Sequence, residues 1–246
     1  SVVESLKHAG FHHAANVEIV WIQAENVEGL LAEEQLATLD GIVIPGGFGA
    51  RGVEGKIRAA QYAREHGVPC LGLCLGMQVM TIEFARHVLG LADAHSTEFD
   101  PTTQNPVIDL MIDQRDVTDM GGTMRLGAYY AQLEPGTKVA AAYGEAVVSE
   151  RHRHRYEFNS TYRARFEDAG FVCSGSSPDR RLVEFIEMSD HPFWVGTQAH
   201  PEFKSRPDRP HPLFRELIGA SLQYRVVRLQ NPSAVAEPAA APSIRA

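Results

Sequence analysis

Apolar residues along this chain recur at two spacings, one helical and one extended, and the two take turns. Val2, Val3, Leu6 and Ala9 fall on one helical face that stops at Gly10. Val17–Gln23 (VEIVWIQ) is predicted as a strand and Leu30–Leu39 as a helix. Gly41–Ile44 reads as a short buried strand running into Pro45-Gly46-Gly47-Phe48-Gly49, and Val53–His66 as a helix ended by Gly67. Val68–Leu73 is an apolar run bounded by Gly67-Val68-Pro69 and by Gly76, the pattern of a fully buried strand; Met77–Arg86 then returns to helical spacing. Strands alternating with helices imply a parallel sheet with helices on both faces, whose functional sites lie outside the carboxyl ends of the strands.

The middle of the chain changes character. Asp93–Gly121 is polar, with Asp100-Pro101 and Asn105-Pro106 as turn signals. Thr123–Leu126 and Thr137–Ala142 read as short strands and Ala146–Asn159 as another, an antiparallel excursion from the main sheet. Asn159–Gly170 is predicted as a helix, Phe171–Ser174, Leu182–Glu187 and Phe193–Gln198 as strands, and His211–Arg225 as the closing helix. Residues 230–246 are rich in Pro and Ala, have little to bury and are expected to be a disordered tail. The expected fold is α/β: a doubly wound, mostly parallel sheet with helices on both faces and a small antiparallel part, formed by residues 1–229.

Composition narrows the field. A chain of 246 residues with 44% hydrophobic content supports one good-sized core. A formal net charge of -8 weighs against nonspecific nucleic-acid binding. Three cysteines, Cys70, Cys74 and Cys173, with no C-x-x-C pair, speak against a disulfide framework or a cysteine zinc site; a reducing, cytoplasmic compartment fits. There is no apolar stretch of bilayer-spanning length, so no membrane partner is expected. Ser1–Phe11 carries Glu4, Lys7 and His8 and does not read as a signal peptide; without an initiator Met, the chain reads as a piece of something longer.

Cys74 stands at the junction of a strand and a helix, inside Gly72-Leu73-Cys74-Leu75-Gly76. This is the G-x-nucleophile-x-G spacing, in which small residues on either side let the chain turn sharply and present the side chain. The following helix directs free N–H groups at the sulfur and favours the thiolate. The bland alternative is a buried structural cysteine. A cysteine nucleophile needs a base and a group that orients the base. His200 follows an apolar strand and so falls at the same end of the sheet, and Glu202, at i+2 in extended chain, points the same way and is placed to hold the imidazole tautomer. His12, His13, His66 and His87 fall away from any strand end. The bland reading of His200 is a surface histidine before a proline.

Gly47, Gly49 and Gly52 spell G-x-G-x-x-G, but the next strand ends without the acidic residue a dinucleotide site needs. Gly55-Lys56 is followed by Ile57, so the loop is not a Walker A either. A tight turn is one reading. The other is an oxyanion hole made by the Gly47 and Leu75 N–H groups. In Glu150–Glu157 (ERHRHRYE), alternation puts Arg151, Arg153 and Arg155 on one side and His152 and His154 on the other. The cations disfavour a metal at the histidines. Solvated charge is one reading, and an arginine gripping a substrate carboxylate is the sharper one.

Pro45-Gly46-Gly47, Gly72–Gln78 (GLCLGMQ) and His200-Pro201-Glu202, in this order, resemble the class I glutamine amidotransferases. GGTMRLG, ERHRHRYEFNSTYR and QAHPEFKSRPDRPHPLF narrow the resemblance to the glutaminase domains of the CTP synthase family, over Ser1 to about Tyr224. The resemblance implies Cys74 as nucleophile, His200 as general base and acid and Glu202 as orienting carboxylate. It implies glutamine contacts at Gly47, Leu75, Gly76, Met77, Gln78, Glu98 and Arg155, and it places Arg51 and Glu54 on a loop associated with allosteric response to GTP. It implies L-glutamine as substrate and no metal or other cofactor for the amide chemistry. ATP and Mg belong to the family's N-terminal synthetase domain, the partner in a homo-oligomeric full-length enzyme, and that domain's phosphate-binding loop has no counterpart in this sequence. Two other classes stay open: another cysteine hydrolase on the same scaffold, such as a γ-glutamyl hydrolase or peptidase, and a non-catalytic regulatory module.

Overall fold

The computed structural model describes residues 1–28, 32–110 and 124–230. The helices are α1 (Val2–His12), α2 (Ala32–Leu36), α3 (Val53–His66), α4 (Leu75–His87), α5 (Lys138–Tyr143), α6 (Arg163–Asp168) and α7 (Pro212–Gln230). The strands are β1 (Ile42–Ile44), β2 (Cys70–Leu73), β3 (His95–Ser96), β4 (Pro106–Asp109), β5 (Arg125–Leu133), β6 (Val147–His154), β7 (Glu157–Phe158), β8 (Phe171–Ser176), β9 (Val183–Met188) and β10 (Trp194–Thr197). Seven of them form one sheet in the order β1-β2-β10-β9-β8-β5-β6, and β3-β4-β7 form a second, small one within and beside the polar middle stretch.

Side-chain alternation on β2, the middle strand of the parallel part, makes the layers. On β2, Cys70 joins an apolar cluster with Ile57 of α3 and Met80 and Phe84 of α4. Leu71 and Leu73 join a second cluster with Ala9 of α1 and Phe214 and Leu217 of α7. All four residues of β2 are buried, as a strand covered on both faces requires. Between α3 and α4, the Arg64 guanidinium grips the Glu83 carboxylate with contacts of 2.8–3.1 Å, and both side chains are buried.

The α/β class with helices on both faces is as expected. The parallel part is β1-β2-β10, and the antiparallel arm β9-β8-β5-β6 is longer than the pattern suggested. Several local expectations differ. Val17–Gln23 forms no strand: its side chains alternate, but β1 is the sheet edge among the described residues, and Val20 and Trp21 are 58% and 79% exposed. A strand is defined by its partner, which alternation does not supply. Thr137–Ala142 is not a strand but leads into α5. The Thr137 hydroxyl accepts from Ala140 N–H, the Glu187 carboxylate accepts from Lys138 and Val139 N–H, and the run of alanines that follows favours helix. The helix expected over Asn159–Gly170 starts as a 3-10 turn and becomes α6, and α2 is shorter than Leu30–Leu39. Part of that range, Thr123 and residues 231–246 of the expected tail lie outside the described residues.

Candidate active site

Strand register brings the site together. Ile44 of β1, Gly72 of β2 and Gly196 of β10 are partners across two parallel ladders, as are Leu73 and Thr197. Two residues further on, the same alignment sets Gly46, Cys74 and Gln198 side by side at the carboxyl ends. Cys74 N–H donates to Thr197 O at 2.7 Å. Cys74 has φ 53° and ψ -106°, a left-handed conformation that costs a non-glycine residue roughly 1–3 kcal/mol. The residue caps the N-terminus of α4. The flanking glycines are there for space. A methyl at Gly76 would lie 2.1 Å from Ile44 O, and one at Gly72 would lie 2.4 Å from Met80 Sδ.

The expected elbow is present, but its side chain is not open to solvent: Cys74 is 4% exposed. The antiparallel arm folds back over the strand ends, so that His200 N–H donates to Arg151 O of β6 at 2.7 Å. The Cys74 thiol faces Arg153 O at 3.8 Å and Gln198 Nε2 at 3.7 Å.

His200 Nδ1 pairs with Glu202 Oε1 at 2.9 Å. Glu202 reaches it through the 3-10 turn Pro201–Phe203, not along extended chain, because Pro201 starts a tight turn directly after His200. A methyl at Gly46 would lie 3.0 Å from His200 Cε1 and 3.4 Å from Cys74 Cβ, so imidazole and cysteine flank that glycine. Burial pulls the His200 pKa down, but the pairing with Cys74 and Glu202 overrides it and raises the value to about 10.

Gly47 lies beside Leu75 and the Lys56 ammonium. Glu98 approaches Arg155 and the Gly49 N–H; burial raises its pKa against both. Gln78 Nε2 donates to Tyr156 O at 3.0 Å and to Gln198 Oε1 at 3.3 Å. Gly76 and Met77 are buried in the first turn of α4. On β6, Arg151 and Arg153 are exposed and His152 and His154 buried, the alternation expected. Burial, with Arg125 adding to it, lowers the His152 pKa to about 2, and His154 is engaged by Glu157 at 2.7 Å. Among the described residues no group of three or more His, Cys, Asp or Glu is placed to hold a metal ion. Arg51 is exposed and paired with Glu25, and Glu54 is paired with Arg86 at 2.8 Å.

Gly46 and Gln198 were not picked out by sequence reasoning. The signal that would find them is the register: aligning the three apolar runs in parallel sets both opposite Cys74. Glu98 came from resemblance alone, since it lies in the polar stretch where periodicity is silent.

The profile of the glutamine amidotransferase class-I family matches residues 1–220. The chain belongs to the class I glutamine amidotransferase family. CTP synthases are among its relatives within that family. That of Carboxydothermus hydrogenoformans is 62% identical over 223 residues, covering 91% of this chain and 42% of the relative. That of Thermomicrobium roseum is 60% identical over 243 residues, covering 99% of this chain and 44% of the relative. The chain thus spans about two fifths of their length. Among solved structures, the glutaminase domain of Trypanosoma brucei CTPS with bound acivicin matches with a TM-score of 0.86 and 36% identity, over 90% of this chain and 87% of that one.

Proposed function

We propose that this chain hydrolyses the side-chain amide of L-glutamine through Cys74, His200 and Glu202. The observation that carries the reading is the Glu202–His200 pair set beside the sulfur, with the imidazole pKa raised to about 10. At neutral pH that imidazole holds its proton beside the sulfur. The thiolate attacks the amide carbon, and the oxyanion that forms faces the Gly47 and Leu75 N–H groups. His200 gives its proton to the leaving nitrogen, and ammonia departs from a glutamyl thioester. With the thiolate consumed, the imidazole is a base again. It takes a proton from water and keeps it while the hydroxide adds to the thioester. Collapse breaks the C–S bond and restores the thiolate beside the protonated His200, and the carboxylic acid formed gives its own proton to solvent as glutamate leaves. Glu202 holds the tautomer and stabilises the imidazolium.

Arg155 and Glu98 are suited to the α-carboxylate and α-amino groups of glutamine, and Leu75, Gly76, Met77 and Gln78 to its side chain. In this reading residues 1–229 form a glutaminase domain whose ammonia serves a synthetase domain that aminates UTP to CTP with ATP and Mg, as the resemblance to the CTP synthase family implies. Arg51 and Glu54 are the proposed link to GTP. Ammonia release from L-glutamine, compared with release of amino acids from γ-glutamyl peptides, tests the assignment. Turnover of glutamine alone supports it. Turnover of the peptides in preference identifies a γ-glutamyl hydrolase, and no turnover of either points to a binding module.

A further inference from the structure

Gln198 is fully buried at the end of β10 and has no part in the mechanism above. Its backbone N–H donates to Glu184 O at 2.9 Å, which fixes where its side chain starts. Its Nε2 lies 3.7 Å from the Cys74 sulfur. Its Oε1 accepts from Gln78 Nε2 at 3.3 Å, and that same nitrogen donates to Tyr156 O at 3.0 Å.

The far end of this relay fixes its direction. A backbone carbonyl has no hydrogen to give, so Gln78 turns its NH2 to Tyr156. The second hydrogen of that nitrogen points at Gln198, which answers with its carbonyl oxygen. Gln198 is left with its NH2 toward the sulfur. Flipping either amide sets like groups face to face in a buried place.

We propose that Gln198 is a catalytic hydrogen-bond donor to the Cys74 sulfur, and that Gln78 is the residue that positions it. A donor aimed at the sulfur favours thiolate over thiol. It meets the negative charge again each time the sulfur leaves carbon. The charged groups that face this centre are His200 and Glu202 from the turn after β10 and Lys56 of α3 beside Gly47; Arg153 of β6 meets the sulfur through its backbone carbonyl while its guanidinium lies over Phe48, and Glu98 pairs with Arg155 and the Gly49 N–H. Gln198 differs from these in being uncharged, so pH does not switch it off.

The proposal rests on Cys74 being the nucleophile. The test is the rate of Cys74 alkylation by iodoacetamide, followed by mass spectrometry across a pH series. Gln198→Met keeps the volume and removes the donor. The pH midpoint of alkylation is expected to rise by about one unit, so that below the wild-type midpoint the variant is labelled about tenfold more slowly, the worth of a hydrogen bond to a charged group. The gap should close as the pH is raised. kcat should fall with little change in KM. A folded variant with the wild-type profile overturns the proposal. The unmutated protein offers a second readout. The Gln198 side-chain amide signal in 15N NMR should move in step with the alkylation profile and stop doing so in Cys74→Ala. A signal indifferent to the profile also overturns it. Wild-type protein in which Cys74 takes no label fails earlier, at the nucleophile assignment itself.

Discussion

Cys74 combines two demands that pull against each other. Its sulfur has to meet a histidine, and its backbone is held at φ 53°, where a side chain is strained. Two outcomes follow at this residue. Cys74→Ala should abolish glutamine hydrolysis. Cys74→Gly should abolish it too, yet unfold at higher temperature than the alanine variant, with a gain of about 1 kcal/mol once glycine's greater freedom in the unfolded chain is deducted. Equal melting temperatures would contradict the strain. The second outcome concerns the proton on His200. A group whose folded pKa is raised contributes stability that is complete below its unfolded value, near 6.5 for an imidazole, and that is lost as pH rises through the folded value. For His200 that value is about 10. Urea unfolding should therefore show the wild type losing stability as the pH approaches 10. Cys74→Ala, which removes the thiolate that holds the proton, should lose less. Parallel curves would contradict the ion pair.

The elements that carry the site are the ones the sequence declares most plainly. The runs 41–44, 68–73 and 193–196 are apolar throughout and stand next to Gly or Pro, so their burial as strands is a local property. The places of Cys74, His200 and Gly47 at strand ends follow from that. What was not legible depends on partners distant in sequence. Val17–Gln23 alternates like a strand but pairs with no strand among the described residues, and Thr137–Ala142 was decided by a cap and a carboxylate from β9. The burial of Cys74 comes from β6 folding over it, which no local pattern encodes. The glycines of these elements separate fold from function. Gly76→Ala drives a methyl into Ile44 O at 2.1 Å, a backbone clash, and should destabilise the protein by about 2–3 kcal/mol or more. Gly46→Ala meets the movable ring of His200 at 3.0 Å. It should change stability by less than about 1 kcal/mol while displacing the imidazole and slowing turnover by about 100-fold. Thermal denaturation and ammonia release on both variants check the contrast. A stable Gly76→Ala, or a fully active Gly46→Ala, would count against the geometry.

At the scale of the molecule, the chain carries a proposed triad and a proposed oxyanion loop, and it spans about two fifths of the CTP synthases it matches. Incubated with UTP, ATP, Mg and glutamine, it should form no CTP, since its sequence has no loop for nucleotide phosphates. Its ammonia release should be slow, about 100- to 1,000-fold below a GTP-activated full-length enzyme, the cost of one oxyanion donor left unordered without its partners. A chain as fast as that enzyme would remove the dependence. The central claim, that one of three cysteines is the nucleophile, has a more direct test. Burial raises the Cys70 thiol far above the usual range, and burial also pushes Cys173 up to about 12, so neither is a thiolate at neutral pH. Treatment with a glutamine-mimicking electrophile, followed by peptide mass spectrometry, should give a single adduct on Cys74 that excess L-glutamine prevents. An adduct on Cys70 or Cys173, or labelling that persists in Cys74→Ala, would contradict the account.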